Sequence, residues 1–246
     1  MNRFFVDKNY IDDNKVEIYG DDVKHIKNVL RLKIGDKISI CDGQNNEYIA
    51  KICNINKTLV LCDIISKCDI SRESNIKITL FQALTKGQKM DLIIQKAVEL
   101  GVYQIYPVQM KRCVSKITDL KKENKKVERW NRIAYEAAKQ SKRGFIPKIN
   151  EVISFMQMTE LFNAFDNVIV PYENEKDTGI KDVLKNINTD SICVIIGPEG
   201  GFEEEEIQIL EKKNSSIVTL GPRILRTETA GFVTISAIMY ELGDLG

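Results

Sequence analysis

Apolar positions change their spacing twice along this chain. Over residues 1–70 they fall in short alternating or continuous runs, at 3–6, 15–18, 37–41, 47–55 and 58–65. That is the pattern of strands with one buried face. Turn chemistry separates two of them at Asp42-Gly43 and Asn45-Asn46. Residues 21–32 break the pattern, because Val23, Ile26, Val29 and Leu30 recur at helical spacing. The spacing predicts a small β-rich module carrying one helix. The remaining faces of that helix hold Lys24, His25, Lys27 and Arg31, with Lys33 just beyond.

A polar stretch at 66–75 marks the expected domain boundary, which divides the chain into residues 1–70 and 74–246. Strand and helix patterns then alternate. Strands are predicted at 76–82, 102–108, 168–171, 192–196 and 217–220. Met90, Ile93, Ile94, Ala97 and Val98 form a helical stripe that stops at Gly101. Further helices are predicted at 124–140, 156–165, 180–187, 202–213 and 228–242. Repeated β–α alternation predicts a mostly parallel sheet covered on both faces, an α/β fold.

Composition narrows the class. The 246 residues are 43% hydrophobic and 29% charged, ordinary for a globular protein with a sizeable core. No apolar run reaches membrane-spanning length and the first residues lack a signal-peptide core, so a cytoplasmic protein without a membrane partner is expected. Six cysteines without a CxxC pair, beside a single histidine, read as reduced packing thiols and argue against a structural zinc site; no metal is expected. Net charge is +1, yet residues 111–148 hold thirteen Lys/Arg against four Asp/Glu, while residues 173–213 hold five against eleven. That asymmetry points to one face for a polyanion and another turned from it. Lys24, Lys27, Arg31 and Lys33, with Arg129, Arg132, Lys139, Lys142 and Arg143, are the candidate contacts to RNA or DNA. His25 lies on an amphipathic helix, where a packing or RNA-contact role outweighs general-base work.

Candidate chemistry concentrates near the end of the chain. The run Val194–Ile196 stops in Gly197-Pro198-Glu199-Gly200-Gly201-Phe202, and Leu220 stops in Gly221-Pro222-Arg223-Ile224-Leu225-Arg226-Thr227-Glu228. Loops at the carboxyl ends of strands are where open α/β sheets take ligands, and glycines let a ligand reach the main chain. The chain has no GxxxxGK[ST] and no GxGxxG, and one histidine does not support HExxH or a Ser-His-Asp triad. A pocket of backbone next to an RNA-facing surface is what remains. The first turn of the 202–213 helix carries Glu203 to Glu206, which suits the positive end of its dipole.

Five segments in register resemble one family. They are Gln82-Ala83-Leu84-Thr85-Lys86-Gly87 with Met90–Gly101, Glu136–Arg143, Ile196–Phe202, Leu220–Ala230, and His25–Asp36 of the first module. Together they resemble the RsmE-type 16S ribosomal RNA uridine-N3 methyltransferases of the SPOUT class. The resemblance implies an N-terminal PUA-like β-barrel that binds RNA and a C-terminal SPOUT domain whose end is threaded into a trefoil knot. It implies a homodimer acting on 16S rRNA within the small ribosomal subunit, with S-adenosyl-L-methionine as cofactor. The cofactor residues it implies are Val170, Pro171, Ile196, Gly197, Pro198, Glu199, Gly200, Gly201, Leu220, Gly221, Ile224, Leu225, Arg226, Thr229 and Ala230. Methylation at N3 needs that nitrogen to lose its proton, so a cation must stabilise the developing anion and a base must accept the proton. Arg226 is the candidate cation; Glu228 or Glu199 is the candidate base. Glu203 stands where the family often has a small hydroxyl residue, which leaves the cap of that helix open. Two rivals remain at this point: a related enzyme acting on tRNA or a ribose hydroxyl, and a catalytically silent RNA-binding assembly factor.

Overall fold

The computed structural model describes residues 1–68, 72–115 and 120–246. The boundary expected at residue 70 lies outside the described residues. The chain divides into two compact units, Met1–Glu73 with Ala138–Ile146, and Ser74–Ala137 with Pro147–Gly246. The span Ala138–Ile146 sits inside 74–246 in sequence but clusters with the first unit, and the side chain of Glu73 is a main reason. Its carboxylate accepts from Arg143 Nε at 3.1 Å, from Gly144 N at 2.9 Å and from Phe145 N at 3.2 Å. Asn45 N also donates to Gly144 O at 2.9 Å.

In the first unit, strands β1 (Arg3–Phe5), β2 (Lys15–Tyr19), β3 (Lys37–Cys41), β4 (Glu47–Ile55) and β5 (Leu59–Cys68) form one sheet in the order β1-β3-β4-β5-β2. Only the β1–β3 pair among these is parallel. Their inward residues make a single core: Phe4, Val16, Ile18, Ile38, Ile40, Ala50, Ile52, Val60 and Cys62, closed by Val23 and Ile26. Burial pushes the Cys62 thiol up to about 12, so it packs as a neutral group.

The helix expected over 21–32 is shorter and changes pitch. Helix α1 covers Asp21–Lys24, and His25–Val29 continue as a widened π turn in which Leu30 N reaches back to His25 O. Arg31 then takes φ +54°, which stops the helix. The wider turn rotates later residues away from the 3.6-residue face. Val29, expected in the core, is therefore 66% exposed. His25 packs edge-on against the Phe4 ring.

The second unit is an α/β layer structure. Strands β6 (Lys77–Ala83), β7 (Gln104–Gln109), β8 (Lys148–Ile149), β9 (Ile153–Ser154), β10 (Asn167–Pro171), β11 (Ser191–Ile196) and β12 (Ser216–Val218) lie in the order β12-β10-β11-β6-β7-β8, with β9 beside β7. Every ladder in this sheet is parallel. β6 and β11, buried along nearly their whole length, read as continuous apolar runs because both faces are covered. The short β8 and β9 carry too few residues for a periodic signal. Helices α2 (Lys89–Glu99), α3 (Leu120–Gln140), α4 (Phe155–Glu160), α5 (Ile180–Lys185), α6 (Glu204–Lys212) and α7 (Thr227–Glu241) make the outer layers. Gly101, just past α2, has φ +94°, the left-handed stop that its sequence position predicts. Among the described residues no helix is long and apolar enough to cross a membrane.

Candidate active site

Parallel pairing decides where the site is. β12, β10 and β11 are neighbours running the same way, so the loops after Val218, Pro171 and Ile196 all emerge side by side at one edge. β6 lies next and runs with them, which brings the start of α2 to the same edge. Backbone groups there are outside the ladder and available to a ligand.

Two adjoining clefts occupy that edge. The larger, about 520 Å³, is lined by Pro171, Tyr172, Glu173, Glu175, Lys176, residues 219–225 and Ala230. The smaller, about 350 Å³, is lined by Lys89, Pro171, Glu173, residues 196–199, Gly201, Phe202, residues 224–227 and Ala230. Pro171, Glu173, Ile224, Leu225 and Ala230 belong to both walls, so the clefts are contiguous. Twelve of the residues singled out for a cofactor line one or both: Pro171, Ile196, Gly197, Pro198, Glu199, Gly201, Leu220, Gly221, Ile224, Leu225, Arg226 and Ala230.

Three do not. Val170 is fully buried within β10, where it belongs to the core, and Thr229 lies on α7 outside both linings. Gly200 lines neither cleft and is exposed next to Arg112: a Cβ there would lie 3.1 Å from Arg112 Cβ and 3.3 Å from Arg112 O. The glycines thus serve different ends. Gly221 has open space and φ +103°, so its need is conformational. Gly197 is crowded, since a Cβ would sit 2.8 Å from the ring of Phe202. Gly197→Ala is expected to cost about 1–3 kcal/mol by overpacking and to weaken cofactor binding as Phe202 moves. Thermal unfolding and cofactor calorimetry check this, and Phe202→Leu in the same chain should restore part of both losses.

A polar chain ties the loops together. Gln82 Nε2 donates to Thr227 Oγ1 at 3.0 Å, and Thr227 Oγ1 donates to Gly197 O at 2.6 Å. One buried hydroxyl therefore joins β6, the start of α7 and the Gly197 loop. On the other side of that loop, Arg112 donates to Gly200 O at 3.2 Å and to Glu203 at 2.9 Å. The hydrogen bond from Arg112 and the positive charge around it hold the Glu203 carboxyl below the usual range. Glu206 is buried and accepts from the backbone of Glu203 at 2.9 Å and of Lys111 at 3.1 Å. The glutamates at the head of α6 are thus more than a solubilising first turn: two of them anchor the loop, and Glu206 closes the cap reciprocally. In the larger cleft, backbone N–H groups of Thr178 and Asp177 hold the Glu175 carboxyl low, so it stays ionised.

Arg226 is exposed at the N-cap of α7; its carbonyl accepts from Ala230 N at 2.8 Å, and its side chain makes no hydrogen bond or ion pair to the described residues. Glu199 accepts from Lys89 Nζ at 3.2 Å and from Lys86 N at 3.4 Å. Glu228 Oε2 lies 3.8 Å from the same ammonium. Lys89, Thr227, Arg112, Tyr172 and Glu173 were not singled out from sequence. Lys89 did leave a sign: it is the first residue of α2, the positive end of a helix dipole, where a lysine is out of place unless carboxylates meet it.

The expected RNA contacts divide by environment. Lys24, Lys27, Arg31, Lys33, Arg132 and Lys142 are exposed. Arg129 is paired with Asp91 but open to solvent. Arg143 is corrected by the structure: it is 5% exposed and its guanidinium is engaged by Glu73, so its charge serves the fold. Lys139 is also engaged, 3.3 Å from Asp22 and over the Phe4 ring.

Residues 72–239 match the model of an RNA methyltransferase domain, and residues 18–65 match that of an RNA methyltransferase PUA domain. This sets the class as RNA methyltransferase with a PUA-like N-terminal region. The chain is 38% identical to ribosomal RNA small subunit methyltransferase E of Bacillus subtilis, over 98% of its own length and 97% of that protein's. The protein of that name from Mesomycoplasma hyopneumoniae is 36% identical over 98% and 100%. A ribosomal RNA small subunit methyltransferase E from Neisseria gonorrhoeae, solved bound to S-adenosyl methionine, superposes with a TM-score of 0.89 at 30% identity over the whole of both chains. A methyltransferase from Legionella pneumophila in complex with SAM gives 0.87 at 32% identity, covering 99% and 98%. The chain belongs to the ribosomal RNA small subunit methyltransferase E family.

Proposed function

We propose that this protein transfers the methyl group of S-adenosylmethionine to N3 of a uridine in 16S rRNA of the small ribosomal subunit. The observation that carries the reading is the convergence of three parallel strand ends on contiguous clefts that hold Arg226, Glu199 and Lys89. The residues fit the cofactor. Pro171, Leu220, Ile224 and Leu225 offer apolar walls for a purine, while Glu173 and Glu175 offer carboxylates for hydroxyl and ammonium groups. When bound, the cofactor supplies an electrophilic methyl group on a sulfonium. The protein's share is then to position the base, exclude water and handle one proton. N3 is on the Watson–Crick edge, so the target uridine must be unpaired or turned out of its stack. Arg226, free at the cleft mouth, is placed to donate to the uracil oxygen on which charge develops.

The fold reading that goes with this function is a PUA-like barrel followed in sequence by a SPOUT domain whose last loops are threaded as a trefoil knot. A homodimer also fits. α7 has no polar face, and Val233 and Tyr240 on it stand 40% and 68% exposed, an unusual state for a mostly apolar helix. Cysteines outside any disulfide, four of them buried, suit a cytoplasmic setting.

Methylating naked 16S rRNA and assembled small subunits, then mapping the modified base, tests the proposal. Modification of tRNA or of a ribose hydroxyl, or no cofactor binding at all, would overturn it. RNA affinity should be shared between the two basic clusters. Reversing Lys27 and Arg31 to glutamate is expected to weaken RNA binding and to lower its salt slope by about 0.7–0.9 per lost phosphate contact. Cofactor calorimetry on the same variant should be unchanged.

A further inference from the structure

Sequence alone leaves Glu199 and Glu228 as equal candidates for the base. Their surroundings differ. Glu199 Oε1 is committed: it accepts from Lys89 Nζ at 3.2 Å and from Lys86 N at 3.4 Å. Glu228 Oε2 is buried and accepts no hydrogen bond, and the ammonium at 3.8 Å is too far to donate one. A buried carboxylate oxygen without a donor is rare enough to need an explanation. Glu228 lines neither cleft but lies against Lys89, which does, and its free lone pairs are suited to receiving a proton.

We infer that Glu228 takes the N3 proton of the target uridine, and that Lys89, anchored by Glu199, stabilises the resulting charge together with Arg226. This rests on the uridine-N3 reading above. The charged groups around the position are Lys89 from α2, Glu173 and Glu199 from the loops after β10 and β11, and Arg226 and Glu228 at the start of α7. Carboxylates outnumber cations there by one, so passing the proton to Glu228 removes one negative charge from the group as the uridine gains one. The N3–H bond breaks, its electron pair stays on N3 and the proton goes to Glu228. The N3–C bond then forms as the carbon–sulfur bond breaks, with that pair going to sulfur. Glu228 afterwards releases its proton to solvent. Because methyl and proton occupy the same in-plane direction at N3, the proton leaves first and Lys89 must hold the anion in the interval.

The test is single-turnover methylation of RNA carrying either uridine or 5-fluorouridine at the mapped target, by the full protein. Fluorine withdraws electrons and makes N3–H more acidic. Glu228→Gln is expected to slow transfer to uridine about 10²-fold or more, and the fluorinated target should recover at least tenfold of that loss relative to wild type. Lys89→Met should also be slow and partly rescued, with Lys89→Arg recovering part of the rate because it keeps the charge. Glu199→Gln, which acts by loosening Lys89, should be slowed less than Lys89→Met and rescued in the same way. The ¹⁹F resonance of the bound fluorinated RNA supplies a readout without turnover: it should shift toward the ionised form with wild type and less with Lys89→Met. Wild-type rates in Glu228→Gln, or a slow variant that the acidic target does not rescue, would overturn the inference. Cofactor calorimetry on each variant separates these results from misfolding. Wild-type protein that methylates some other atom would instead sink the uridine-N3 reading itself.

Discussion

Arg226→Ala is expected to slow methyl transfer about 10²–10³-fold, the usual effect of losing one preorganised donor at a developing anion. The residue is suited to so large an effect and to a small structural one. It is exposed, its side chain has no partner among the described residues and it contributes only backbone to the start of α7. Its removal therefore leaves no buried group unsatisfied. Single-turnover kinetics should fall while the melting temperature stays within a degree or two of wild type. Arg226→Lys should recover only part of the rate, because an ammonium cannot reproduce a planar, forked donor. Turnover near wild type in Arg226→Ala would remove the residue from the mechanism.

The largest expected effect on stability is in the first unit. Glu73→Ala should destabilise that unit by about 3–5 kcal/mol, as breaking a buried pair does when the partner charge is left behind. The side chains of Arg143 and Glu73 are 6% and 15% exposed. The same carboxylate also satisfies the backbone N–H groups of Gly144 and Phe145. Glu73→Gln keeps an acceptor for those amides but removes the charge, so it should lose less. Urea denaturation, read on the first unit, measures both. A loss below about 0.5 kcal/mol in Glu73→Ala would mean that Ala138–Ile146 is held by its other contacts, among them the backbone bonds to Gly43 and Asn45 and the Lys139–Asp22 pair. Arg143→Ala should cost about as much, and the double variant should cost less than the sum because the two residues share one interaction.

Much of the architecture was legible because local patterns and tertiary environment agreed. The apolar runs of β6, β10 and β11 are strands because no helix of that length would be buried all round, and the stripe of α2 ends at a glycine that does take positive φ. The misreadings have local causes as well. The helix after Gly20 obeys the 3.6-residue period only as far as Lys24, and the π turn that follows moves Val29 out of the core. Nothing in a hydrophobic pattern announces a change of pitch. Arg143 looked like one more cation in a basic run. Its partner, Glu73, is seventy residues earlier, and charge counting along a sequence cannot pair residues across that distance.

What the sequence determined by itself was the class of each segment and the position of the glycine loops. Hydrophobic period and glycine placement are local properties, written in consecutive residues. Which loops meet was decided only by tertiary structure. The order β12-β10-β11-β6 and its uniform parallel sense bring four loops to one edge. That pairing sets Glu199 against Lys89 and leaves Glu228 Oε2 without a donor. It also separates Gly197, crowded by Phe202, from Gly221, which is merely strained for any other residue. Roles of this kind depend on distances of 3–4 Å between residues far apart in the chain, and so they exist only once the strands have paired.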